Sequence, residues 1–207
     1  MGVKNYTGII PEQFTGKEIV AEASAEFEDN TKATRFYEVA KGRLLNCNNW
    51  HKIAEGISTT FQLIDKNGDE VNRKAEKGDY FKIDIPGPGS KAGKGYDWVF
   101  IEDLKEVTEN DVKSTGFRVR PTVNPKGESN DVAHFYAESA TSSFIVTREG
   151  KTVLATIVDR NIQPNKDPES VVDKIRDTVV GVGALTSFSK IQWQNLADGL
   201  IKQEEKQ

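Results

Sequence analysis

Period-two alternation opens the ordered part of the chain. Ile19, Ala21, Ala23, Ala25 and Phe27 fall on one side, with Glu18, Val20, Glu22, Ser24, Glu26 and Glu28 on the other. That period marks a half-buried strand. Ala and Glu favour helix, so a short helix over the same residues is the alternative reading. Asp29-Asn30-Thr31 then offer capping side chains ahead of Ala33, Phe36, Tyr37, Ala40 and Leu44, whose helical spacing predicts a first helix. After Asn46-Cys47-Asn48-Asn49, a short second helix carries Trp50, Ile53 and Ala54 and ends at Gly56.

The middle of the chain reads as strands. Ile57 to Asp65 runs into Asp65-Lys66-Asn67-Gly68, where the Asn-Gly pair supplies the backbone angles of a tight turn and opens a hairpin. Tyr80 to Ile85 and Tyr96 to Val107 are two more β-like runs, separated by the glycine- and proline-rich loop Pro86 to Gly95. Phe117 and Val119 mark a strand that stops near Pro121, and residues 124 to 131 form a loop. Val132 to Glu138 fits either a helical turn or a strand. Ser142 to Thr147 and Thr152 to Val158 form a hairpin, which brings the expected strand count to seven.

Toward the C-terminus, Asp167-Pro168 suits a helix start, since Asp caps free amides and Pro is tolerated at the first helical position. Val171, Val172, Ile175, Val179 and Val182 then make one apolar stripe. Ser189-Lys190-Ile191-Gln192 has the form of a capping box and predicts a second terminal helix carrying Trp193, Leu196, Ala197, Leu200 and Ile201. Residues 1–16 lack periodicity and read as a flexible lead-in to a single α+β domain over residues 17–204.

Composition narrows the function. The 207 residues hold 28 Lys plus Arg and 32 Asp plus Glu, a formal charge of −4. Without clustered basic residues there is no electrostatic basis for nucleic-acid binding. One cysteine, Cys47, forms no internal disulfide, which fits a reducing compartment. The start lacks a signal-peptide core and no long apolar run could span a membrane, so the expected location is the cytoplasm.

Candidate chemistry is sparse. Gly87, Gly89 and Gly93 resemble a phosphate loop in spacing, but a strand follows where a helix would have to begin. Cys47 and His51 lie one helical turn apart, without an orienting third group, so Cys47 is not expected to be a nucleophile. No metal-ligand spacing and no cofactor motif is present. Arg118 and Arg120 leave the same face of one strand, either as a solvated face paired with carboxylates or as a bidentate site for an acidic group. His134 lies among apolar residues as a core or rim histidine. Trp50, Trp98 and Tyr96 are either core or pocket aromatics.

The order strand, helix, helix, six strands and terminal helix, with Asn49-Trp50-His51 between the second helix and second strand, resembles the START-like (SRPBCC) helix-grip superfamily over residues 17–186. The capped extra helix after Ser189 departs from that pattern. The resemblance implies an α+β fold, a seven-stranded antiparallel curved sheet packed on a C-terminal helix, with a ligand cavity between them. Trp50, Trp98, Ile175 and Val179 would surround that cavity, with Arg118, Arg120 and His134 as further ligand-binding candidates. The function expected on this basis is non-catalytic binding of a small, largely apolar molecule. The alternatives are a protein-interaction module without a cavity and, third, a cyclase-like or hydrolytic enzyme. The oligomeric state is not legible.

Overall fold

The alternation at residues 18–28 resolves as strand β1, Lys17–Glu26, so side-chain period prevails over the helix propensity of Ala and Glu. The computed structural model describes residues 2–56, 59–85, 93–127, 131–164 and 182–203. Helix α1, Asn30–Leu45, starts where the sequence places it, because the Asp29 side chain accepts a hydrogen bond from the Lys32 N–H. A single 3₁₀ turn, Cys47–Asn49, leads into the short helix α2, Trp50–Ile53. Strands β2 (Thr60–Ile64), β3 (Tyr80–Asp84), β4 (Asp97–Glu109), β5 (Val112–Pro121), β6 (Thr141–Glu149) and β7 (Thr152–Ile162) follow, and helix α3, Val182–Ile201, ends the described chain.

The strands form one seven-stranded sheet in the order β1-β7-β6-β5-β4-β3-β2, with every neighbouring pair antiparallel. The first strand thus closes against the last, and β1 and β2 are the edges. The sheet is open and curved, and α1, α2 and α3 lie against its inner face, an α+β arrangement consistent with a helix-grip fold.

Trp50 is the hub of the core. Its ring is fully buried, 5.0 Å from those of Phe61 and Phe144 and about 6 Å from Phe81 and Phe117. Its indole N–H donates to the carbonyls of Arg43 and Leu44 in the last turn of α1. Gly199 lets α3 approach α2 closely, since a Cβ there would sit 2.2 Å from the Ile53 carbonyl oxygen.

Several expectations need correction. The sequence places a helix start at Ser189, yet α3 begins by Val182 and runs straight through it. The Ser189 hydroxyl is hydrogen-bonded to the Tyr136 hydroxyl and caps nothing. β5 begins at Val112, well before Phe117, because its polar first half is paired on both edges. Within it, Ser114 and Thr115 bond to Thr147 and Tyr37. Residues 65–68 do turn, with the Asp65 carboxylate accepting from the N–H groups of Asn67 and Asp69, but the strand they lead to, β3, starts only at Tyr80. Val132 to Glu138 is neither helix nor strand, apart from one bridge between Tyr136 and Pro164. The expected helix from Pro168, with Ile175 and Val179, lies outside the described residues, as does most of the Pro86–Gly95 loop.

Residues 2–16, read from sequence as a lead-in, lie along the outer face of the sheet. Ile9 and Ile10 are buried against Ile145 and Val158. The buried Asn161 side chain accepts from the Phe14 and Thr15 N–H groups and donates to the Glu12 carbonyl. Asn161 holds a φ of 57°, a left-handed conformation that Asn tolerates better than most residues.

Candidate functional site

A cavity of about 60 Å³ lies between the inner face of the sheet and α3. Its sheet wall is apolar, built mainly from Phe61, Phe81, Ile83, Val99, Val119 and Phe144. Helix α3 contributes Phe188 and Gln192 on one pair of turns and Ser189 and Trp193 on the next, i,i+4 pairs that share a face. His134, Phe135 and Tyr136, from the irregular segment between β5 and β6, complete it. That segment is tied to the sheet. The Trp98 N–H donates to the Ala133 carbonyl at 2.8 Å, the Ala133 N–H to the Thr122 carbonyl at 3.0 Å, and the Phe135 N–H to Asp97 Oδ2 at 3.4 Å. Burial raises the Asp97 carboxyl to about 7, against the lowering effect of the Phe135 N–H.

One end of the site is polar. An adjoining space of about 10 Å³, the size of one water, shares Val99, Val119, His134, Tyr136 and Ser142 with the larger cavity and adds Thr141 and Asp159. Asp159 continues the inward phase of Val153, Ala155 and Ile157 along β7 and is only 1% exposed. Its Oδ2 accepts from the Trp193 indole N–H at 2.8 Å, while Oδ1 makes no hydrogen bond of good geometry among the described residues. Burial raises its pKa to about 6, opposed by the neighbouring Ser142 and Trp193 donors. The Gln192 carbonyl oxygen and the Thr141 hydroxyl are likewise buried without partners among the described residues. Each such group costs about 1–3 kcal/mol when nothing pairs with it.

His134 is 8% exposed, and its Nδ1 accepts from the Tyr136 N–H at 2.9 Å. That bond assigns the proton of the neutral ring to Nε2. Burial pushes its pKa down to about 3, so the imidazole is uncharged at neutral pH. The Tyr136 hydroxyl lies 3.1 Å from that of Ser189, and burial raises the phenol above its ordinary range.

Of the residues singled out in the sequence, the cavity contains His134. Trp50 lies behind its wall in the core, touching the lining rings of Phe61 and Phe144. Trp98 points to the other face of β4, among Ile64, Tyr80, Tyr96 and Ala133. Arg118 and Arg120 are also on the outer face, and both bind Glu102, the extra residue of a β-bulge between Ile101 and Asp103. Arg118 also donates to the Ile9 carbonyl at 2.9 Å, and Arg120 to that of Glu138 at 3.0 Å. The sheet therefore separates the arginines from the cavity. Cys47 is buried, its thiol donating to the Leu44 carbonyl, and burial raises its pKa well above the ordinary value, while His51 is exposed.

Asp159, Gln192 and Trp193 were not singled out as site residues. The signal for Asp159 was a charge in phase with the apolar positions of β7. Gln192 and Trp193 were hidden by a helix start placed at Ser189.

No family model and no curated protein matches the sequence. Among solved structures, the chain is similar to hypothetical protein jhp0584 from Helicobacter pylori, with a TM-score of 0.51 and 11% identity over 97% of both chains. That likeness concerns the fold alone. More distant are a truncated norcoclaurine synthase from Thalictrum flavum (TM-score 0.36, 9% identity, 94% of this chain and 100% of that one). Ara h 8.0201 has a TM-score of 0.32 and 9% identity over 89% of this chain and 99% of that one. No helix among the described residues is long and apolar enough to cross a membrane.

Proposed function

We propose that this protein binds a small, largely apolar ligand, without transforming it, in the cavity between the sheet and α3. The observation that carries this reading is an apolar-walled cavity with buried polar atoms that have no hydrogen-bond partner among the described residues. Apolar walls with a few convergent polar groups are the usual make-up of a small-molecule site. The space of about 60 Å³ is well below the ~150 Å³ that admits benzene. A ligand therefore inserts a narrow end, or α3 and the 133–136 segment shift to admit more.

A hydrophobic dye titrated into wild type and Val119→Leu tests the reading. Val119 borders both spaces, so the added methylene occupies the site from within the sheet. The expected result is saturable binding by wild type and at least tenfold weaker binding by the variant, with an unchanged or higher melting temperature. Equal binding by both proteins, or none by wild type, would refute it.

A further inference from the structure

Resting on that ligand-binding reading, we propose that the inner end of the cavity selects ligands whose inserted end is a primary ammonium group, held by Asp159. The chemistry of the unpartnered atoms is one-sided. Asp159 Oδ1 and Gln192 Oε1 are acceptors, and the Thr141 hydroxyl can act as one. A carboxylate or phosphate would set like charge against Asp159, and His134, which also lines this space, is a neutral imidazole that offers at most its Nε2–H and no charge to hold an anion. An ammonium has three donors and no acceptor.

Charge and size agree with this choice. Among the described residues, the groups that act on the Asp159 carboxylate are Ser142 and Trp193, both neutral. A buried carboxylate is stabilised most by a cation in direct hydrogen-bonded contact, which the ligand would bring. The space beside Asp159 is about 10 Å³, enough for one water and hence for a head group of that size. The wider, apolar part of the cavity then receives the first carbons of the chain.

Calorimetric titration of the full chain at pH 7.5 with hexylamine and with 1-hexanol tests the inference, since the two probes differ only in the head group. Hexylamine is expected to bind at least tenfold more tightly. Asp159→Asn, which keeps an acceptor for the Trp193 indole, should abolish that preference. Should that variant fail to fold, the amine-to-alcohol ratio in wild type and a saturable shift of the Trp193 indole resonance on adding hexylamine decide the matter. Equal affinities for the two probes, or a preference that survives in folded Asp159→Asn, would overturn the inference and leave the ligand-binding reading standing. Failure of both probes and of a hydrophobic dye to bind would overturn the ligand-binding reading itself.

Discussion

Asp97→Asn should make the protein less sensitive to a rise in pH from the acid range to neutrality. The carboxyl of Asp97 is buried beneath the segment that carries His134, and its pKa rises from 3.8 to about 7 through desolvation. A folded-state pKa above the unfolded one means that the folded protein holds the proton more tightly. Its stabilising contribution is thus complete below pH ~4 and is lost as pH rises through about 7. At about 1.4 kcal/mol per pH unit of displacement, the whole effect is on the order of 4 kcal/mol, of which about 3 kcal/mol falls between pH 5 and pH 8.5. Asn is isosteric, accepts the Phe135 N–H equally well and does not titrate. Urea unfolding of both proteins at the two pH values isolates the group, because contributions from His134 and Asp159 cancel in the difference. The variant should gain on the order of 3 kcal/mol over wild type on going from pH 5 to pH 8.5. A difference that stays constant across that range would refute the burial of an ionisable Asp97.

The other expectations concern packing and reactivity. Trp50→Ala should cost about 3–5 kcal/mol in urea unfolding, since it removes the ring around which four phenylalanines meet. Gly199→Ala should lose about 1–3 kcal/mol, because a Cβ would collide with the Ile53 carbonyl. Gly42→Ala on α1, where nothing lies within 4 Å of the added carbon, should gain about 0.5–1 kcal/mol in the same assay. Cys47 should react with a thiol reagent only at the rate of global or local opening, unaffected by His51→Ala. Rapid stoichiometric labelling at pH 6 would contradict its burial.

The sheet was legible wherever one face is wet and the other dry. β1 shows its alternation in spite of helix-forming residues, and α1 announces itself through the Asp29 cap. Legibility fails where polar residues are satisfied by tertiary partners. The first half of β5 looks like loop because Ser114 and Thr115 find their hydrogen bonds in β6 and α1. The same cause misplaces the start of α3. A serine three residues before a glutamine has the form of a cap, but the Ser189 hydroxyl meets Tyr136 across the cavity and the helix needs no start there. In the site, Arg118 and Arg120 drew attention as an exposed pair. Their partner Glu102 reaches them only because a bulge breaks the alternation of β4, which sequence period does not reveal. Asp159 was visible in principle, as a carboxylate in phase with three buried apolar residues.

Nuclear magnetic resonance of the three tryptophan indole N–H groups, followed while 1-hexanol is added to the full chain, tests the cavity most directly. Trp193 lines it and donates to Asp159, Trp50 donates away from it to the end of α1, and Trp98 lies on the opposite face of the sheet. Ligand binding between sheet and α3 predicts a saturable shift of the Trp193 signal with much smaller changes at Trp50 and Trp98. A Trp193 signal that stays fixed, or three signals that drift together without saturating, would contradict a binding site there.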